Sequence, residues 1–498
     1  MTGPAGTPAL VPGPIDRVHF LDEQRRNRRA SWRFSVFAVV AVALSGLPLC
    51  ILISPLLFGL TLIVVHAVDL VAPIPDDVWT ALEHIARAIP HSWDSLRGRG
   101  TSVSWTPLIA ALVLPGAILM LAVWLWVRVM FRHAGAGGML HRLHARAPRT
   151  DVLEELQIIN ITEEMSIAAG IPPPRVMLID SAAANAAAVG LTVDDATILV
   201  SRGLLDLDRE ARQAILGHVT GSVSNGDLKI ASTILSVFQT WGLLALVIDT
   251  PFGHRSRKAI HDFVTVSRRP RRNAHDRLTV SRMLDRLMDG AGMTFEDLTD
   301  RLDLAEGPRK PSRSVFVDLP LLVFLGPAAV ASKAAIALFT LLVFGPWVAL
   351  LWRARRRLAD ATAVQLTRNP TALARAVQDM EGRNVAVEDG APVSFLFPFW
   401  TRWTPDAPPR DDVMAHVVGT QLDLDDRLRS LMKLGASPSA VPAPADRASW
   451  KEWMAFCGWT ILAVALVGAC IAVTLLTTSL FLWAVWAVLA FVFGGVPK

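Results

Sequence analysis

The chain has 498 residues, 52% of them hydrophobic, and a formal net charge of +5. Its mean hydropathy of +0.40 and several apolar runs beyond the ~20 residues that span a bilayer exclude an ordinary soluble protein. The basic residues cluster beside those runs, which fits membrane topology and argues against nucleic-acid binding.

The first 33 residues are polar and Arg-rich (Arg25, Arg26, Arg28, Arg29, Arg33). The apolar stretch behind them, 34–71, is far longer than the apolar region of a cleavable leader, so it reads as a signal anchor with a cytoplasmic N-terminus. It is long for one straight crossing and short for two, and Pro48 and Pro55 are candidate kinks. A mixed loop, 72–105, leads to a second run, 107–131. That run is followed by Arg132, Arg142 and Arg146, a bias that places the next domain in the cytoplasm.

Residues 132–227 read as a soluble α/β unit. A helix is expected over 152–169, stopped by Pro172-Pro173-Pro174. Short strands are expected at Arg175–Asp180 (RVMLID) and Ala196–Ser201 (ATILVS), with turn signals at Asn185, Gly190 and Asp194-Asp195 between them. A further helix should start at Asp206 or Asp208, either of which can cap it. A third apolar run follows over 230–248. After it comes a polar insert with a basic block from Arg268 to Arg272, read as a solvated or headgroup-facing surface. The fourth run, 319–352, contains a Gly326-Pro327 break and an ionisable Lys333, and ends at Arg353, Arg355, Arg356 and Arg357. A helical, polar part with a Pro/Ala-rich linker (Ala436–Ala445) precedes a final run, 454–493, of one helix or two passes. Cys50, Cys457 and Cys470 all lie in apolar runs and read as small buried residues, not a disulfide framework or metal cluster.

The helix expected after Asp208 carries the most informative pattern. In H-E-x-x-H, two His four residues apart bind zinc from one helix face, and the Glu serves as general base on the metal-bound water. Here those five positions read His218, Val219, Thr220, Gly221 and Ser222. Elsewhere there is no nucleophile elbow around Ser201, Ser222 or Ser224, no Gly-rich phosphate loop and no inverted repeat of the transporter kind.

Four pieces in a fixed order extend the pattern: PRVMLIDSAAANAAAVG (Pro174–Gly190), ATILVSRGLLDLDRE (Ala196–Glu210), Asn225-Gly226-Asp227 after the damaged motif, and RRRLADATAVQLTRNPTALARA (Arg355–Ala376). With these, the chain resembles the HtpX-type membrane zinc metalloproteases, relatives of the CAAX prenyl proteases, over roughly residues 105–380. The resemblance implies a mainly α-helical polytopic membrane protein with a small α+β zincin-like domain. It also implies roles. His218 matches the first zinc ligand, Val219 stands at the general-base position, and Ser222 replaces the second His. Arg356 stands at the third-ligand position, four before Asp360, and no acid occurs from Trp352 to Ala359. Asn225, Asp227 and Asp360 match supporting positions.

Read along the whole chain, charge, hydropathy and the resemblance together give a cytoplasmic Arg-rich arm over 1–33, two membrane-spanning regions with an intervening loop over 34–131, and the zincin-like domain over 132–229. A membrane segment (230–252), a basic helical insert (253–318) and another membrane segment (319–352) follow. A helical part over 353–450 completes the zincin-like unit, and 451–498 is a C-terminal membrane region. If His218 and Asp360 share a site, the chain crosses the bilayer an even number of times between them.

The donor set implies no zinc unless the family activity survives. His218 is expected to hydrogen-bond Ser222, and Arg356 to pair with Asp360 or Asp227. The expected function is a pseudoprotease in membrane-protein quality control, in a bacterial inner membrane, holding an extended polypeptide along Ala196–Ser201 or a membrane-protein client. The alternative is an active membrane metalloendopeptidase with unorthodox ligands.

Overall fold

The computed structural model describes residues 17–69, 71–96, 105–250, 254–268, 273–291, 315–381, 383, 385–399, 413–437 and 450–492. Most of the basic block (269–272), the first 16 residues and most of the Pro/Ala-rich linker lie outside the described residues. The chain is a mainly helical, multi-pass membrane protein; among the described residues there is one three-stranded sheet, and five helical spans are long and apolar enough to cross a membrane.

In chain order the first helices are α1 (Phe20–Asp69), α2 (Asp76–Leu96), α3 (Trp105–Leu112), α4 (Leu114–Ala134) and α5 (Gly137–Arg142). The domain then builds α6 (Leu153–Ala169), β1 (Arg175–Ile179), β2 (Ala186–Val189), β3 (Thr197–Ser201) and α7 (Arg209–Ser224). Next come α8 (Asp227–Asp249), α9 (His254–Ser267), α10 (Ala274–Ala291), α11 (Val315–Phe339), α12 (Gly345–Thr367) and α13 (Pro370–Glu381). The last are α14 (Val413–Val418), α15 (Leu424–Lys433) and α16 (Trp450–Val492). Residues 34–69 of the first apolar stretch thus belong to one 50-residue helix that already begins at Phe20. The final run is likewise a single helix of 43 residues.

Helix α6 ends earlier than its downstream prolines require. Gly170, at φ +66, takes the left-handed conformation that only glycine adopts without strain, and Ile171 donates back to the Ser166 carbonyl (3.1 Å). The fourth apolar run also breaks elsewhere than expected. Helix α11 passes through Gly326-Pro327, and the irregularity is a π-helical turn at Thr340–Phe344 just ahead of Pro346, whose ring lacks an N–H to give the preceding turn. Lys333 does not stand alone on this helix; it pairs with Asp249 at the end of α8. The three cysteines are free, and Cys457 is exposed on α16 rather than buried.

The sheet order is β1-β3-β2, with β1 parallel and β2 antiparallel to β3. Strand β2 falls where turn signals had been read, because its sequence, Ala-Ala-Ala-Val, has little intrinsic strand preference and is a strand by burial alone. Since β3 is the central strand, both its edges are taken. No added polypeptide can pair along Ala196–Ser201, and the outer strand beside the cleft is β2. Alternation divides the sheet between two cores. Val176, Ile198, Val200, Ala186 and Ala188 face a core with Ile158, Ile215 and Val219, while Met177, Ile179, Leu199, Ala187 and Val189 face one with Met130, Phe131 and Leu235 from the apolar helices.

Arg146 ties the end of the membrane bundle to this sheet. Its backbone forms an antiparallel bridge with Leu178, and its guanidinium donates to Glu155 (2.8 and 3.0 Å) and Asp180 (2.9 and 3.0 Å). The Arg146 hydrogen bonds hold the Glu155 carboxyl down to about 2 against the opposing effect of burial. A carboxyl depressed on folding stabilises the fold above its unfolded value of 4.5 and loses that contribution as pH falls toward about 2. Glu155→Gln should therefore cost on the order of 2 kcal/mol at pH 7 and flatten the acid limb of stability below pH 4.5. Thermal unfolding in detergent across that range checks it, and an acid limb identical to the parent protein's would reject the linkage.

Candidate functional site

The site lies between α7 and α12. Asp208 caps α7, its Oδ1 accepting from the Ala211 amide at 2.7 Å, which fixes the phase of the helix. The two helices approach closely because α7 presents glycines one turn apart. A Cβ on Gly221 would lie 3.1 Å from Thr362, and one on Gly217 would lie 3.0 Å from Thr367. That seam sets His218, Val219 and Ser222 against Arg355, Arg356, Ala359 and Asp360.

His218 Nδ1 lies 2.7 Å from Asp360 Oδ1, and both residues are buried. The same carboxylate is gripped by Arg427 of α15, with Nη2 2.7 Å from Oδ1 and Nε 2.9 Å from Oδ2. The Arg427 guanidinium also lies 4.7 Å from the centre of the Phe399 ring. His218 therefore bonds to Asp360 and not to Ser222, and the partner of Asp360 is Arg427 and not Arg356. Burial lowers the His218 pKa, outweighing the opposite pull of Asp360, so the imidazole is neutral near pH 7. With Nδ1–H donated to an ionised Asp360, the lone pair belongs to Nε2; this tautomer is assigned from the bonding pattern.

Asp227 is paired too, with Arg355, which also donates to the Asn225 carbonyl (2.6 Å). Ser222 turns toward Asp227. The Asn225 side chain reaches across to Thr362 Oγ1 (2.9 Å). Arg356, buried to 4% exposure, points the other way. It donates to the carbonyls of Phe395 (3.2 Å), Phe397 and Pro398 (3.1 Å), and to the Gln421 side chain. Two residues adjacent in sequence on one helix are turned about 100° apart, so Arg355 rather than Arg356 meets the carboxylate. A small cavity of about 30 Å³ remains among Ala188, His218, Ser222, Arg355 and Arg356, space for a water molecule or two.

A catalytic zinc needs three protein ligands and an open position. These residues offer one, the Nε2 of His218, while both Asp360 oxygens are taken. The other ligand positions hold a serine hydroxyl and a guanidinium, and Val219, at the general-base position, has no titratable group. Among the described residues no group of three or more His, Cys, Asp or Glu is arranged to hold a metal. The donor set does not fit zinc. One element does persist: a histidine whose second nitrogen is oriented by a carboxylate, as metal-binding histidines commonly are.

A family model, Peptidase family M48, matches residues 153–288, from α6 into α10. Together with the helix pair around His218 and Asp360, it makes the membrane-associated domain similar to the M48 peptidases. Curated proteins named Protease HtpX homolog refine this. One from Levilactobacillus brevis is 33% identical over 102 residues, 20% of this chain and 34% of the relative. One from Streptococcus equi subsp. equi is 23% identical over 290 residues, 57% of this chain and 76% of the relative, and one from Streptococcus uberis is 25% identical over 223 residues, 44% and 56%. The chain is thus similar to proteins of the HtpX type, and it spans only about a third of the length of the first curated relatives it matches. No solved structure matches.

Removing Arg427 leaves the Asp360 charge buried and unpaired, so Arg427→Met should destabilise the protein by about 3–5 kcal/mol. The double change Arg427→Met with Asp360→Leu, which removes both charges, should recover most of that loss. Chemical denaturation of the two variants in detergent checks this; a single variant as stable as the parent would show that Arg427 carries no such burden.

Proposed function

We propose that this chain is an HtpX-type pseudoprotease, a zincin frame that holds polypeptide or membrane-protein partners instead of cutting them. The observation that carries the reading is the Asp360 carboxylate, saturated by Arg427 and His218 in the place where a zinc site is built. Arg427 supplies positive charge there without any exchangeable coordination position, so no water is activated. The paired buried charges support the frame, while Val219 offers no proton acceptor.

The basic residues that follow α4 favour a cytoplasmic-facing domain in a bacterial inner membrane. The contact between His218 and Asp360 is consistent with α8 leading away from the domain and α11 leading back, an even number of crossings. Quality control of membrane proteins is the role this placement fits, by analogy with the family. The strand beside which a client would lie is β2, buried here, whose outer edge flanks the cavity through Ala188. The competing reading, an active metalloendopeptidase with unorthodox ligands, draws on the retained His218–Asp360 pair.

Elemental analysis of the detergent-purified protein separates the two, combined with degradation of an unfolded substrate with and without chelator. The proposal expects sub-stoichiometric zinc and no chelator-sensitive cleavage; stoichiometric zinc with such cleavage would overturn it. Arg356→Ala should lower thermal stability and leave metal content unchanged, because that guanidinium supports neighbouring backbone rather than a metal.

A further inference from the structure

The segment from Val393 to Phe399 crosses the cleft beside β2. A short 3₁₀ turn (Ala391–Leu396) gives way to extended backbone at Phe397 (φ −82, ψ 130), and Leu396 and Pro398 line the cavity shared with Ala188 and His218. It is held chiefly through its main chain. Arg356 donates to the carbonyls of residues 395, 397 and 398, Gln421 Nε2 to that of Phe397 (3.2 Å), and Trp352 Nε1 to that of Phe395. On the β2 side, Asn185 Nδ2 donates to the carbonyls of Phe399 and Val385 (2.8 Å). Phe395, Phe397 and Phe399 recur every second residue and all three are buried, the first two in the core shared with the apolar helices and Phe399 in the core shared with α6 and α7.

Recognition through carbonyls with alternate side chains in apolar pockets is how a groove takes an extended polypeptide. The donors here are side chains at the family's third-ligand position and in the turn before the outer strand. A charge-assisted clamp of this kind is stronger than neutral hydrogen bonds.

We infer that residues 395–399 are an internal occupant of the polypeptide groove, clamped by Arg356, and that the groove takes an extended Phe-rich apolar segment in trans only once this one is released. The inference rests on the reading of the domain as a polypeptide-holding frame. It gives Arg356 a use: the guanidinium that abolishes the ligand position also fastens the cover. It further states the chemistry of the client: aromatic side chains two residues apart on a backbone that passes from a turn into an extended stretch, the chemistry the groove already accommodates.

The test uses the full chain in detergent, with Arg356→Gln and the milder Gln421→Ala, which removes two of the clamp's hydrogen bonds and leaves the Arg427–Asp360–His218 cluster untouched. Hydrogen exchange of residues 393–399 should quicken by about tenfold or more in both variants while β1 and β3 keep their protection. A fluorescent peptide with the sequence of residues 393–399 should bind the variants about tenfold or more tightly than the parent protein. Unchanged exchange in 393–399 in a folded Gln421→Ala protein overturns the clamp. Faster exchange with peptide bound by parent and variants alike, and no tighter by the variants, overturns the competition between cover and client. Faster exchange with no peptide binding in any form leaves the clamp standing and removes the polypeptide-holding reading instead.

Discussion

The Asp360 carboxylate is the interaction on which the rest of the domain depends. It stands on α12, accepts from His218 on α7, and is gripped in two places by Arg427 on α15. Three helices distant in sequence are thereby joined at one buried charge, and none of the three partners can leave without stranding another. A metal ion joins helices in the same way, by satisfying several donors at a single point. The guanidinium is a planar, permanently charged substitute that fixes direction as well as distance. What it lacks is a vacant coordination position, the feature by which a metal activates a water.

Around this point the carboxylates and guanidiniums are sorted into separate pairs. Asp227 with Arg355 closes the junction between α7 and α8 and brings Ser31 of α1 within 3.5 Å of Arg355. Gln24 of α1 bonds to Gln365 (2.8 Å), so the N-terminal helix runs along α12 before it enters the apolar region. Arg356 is left for the neighbouring backbone. The cleft is consequently a set of satisfied bonds, with little space among them, and any partner has to exchange for bonds already made.

Much of this architecture was readable from the residues. The limits of α6, β1 and β3 follow from apolar periodicity and punctuation, and Asp208 announces the start of α7 by its capping chemistry. The damaged zinc motif and the loss at Arg356 also stand in plain view, as does the family. Strand β2 was not legible, because alanines carry no strand signal and only burial between two cores makes them extended. The partners of the charges were not legible either. Whether Arg355 or Arg356 meets an acid depends on the phase of α12 against α7, which two glycines on α7 set. Arg427 lies 67 residues beyond Asp360, in a short helix whose LDDRLRS pattern looks like any solvated charged stretch. No local rule connects it to the site.

The division of the sheet between two cores has a consequence for how the domain exists at all. One face of β1 and β3 packs on α6 and α7, but Met177, Ile179 and Leu199 on the other face pack on Met130 and Phe131 of α4 and Leu235 of α8. The helices that reach the bilayer are therefore the second half of the domain's own interior. A water-soluble excised version would carry an uncovered apolar face the width of the sheet, which soluble monomers rarely tolerate. The lipid-embedded part is less an anchor for a separable head than a wall of the same building, so any movement of those helices is also a deformation of the sheet beside the cleft.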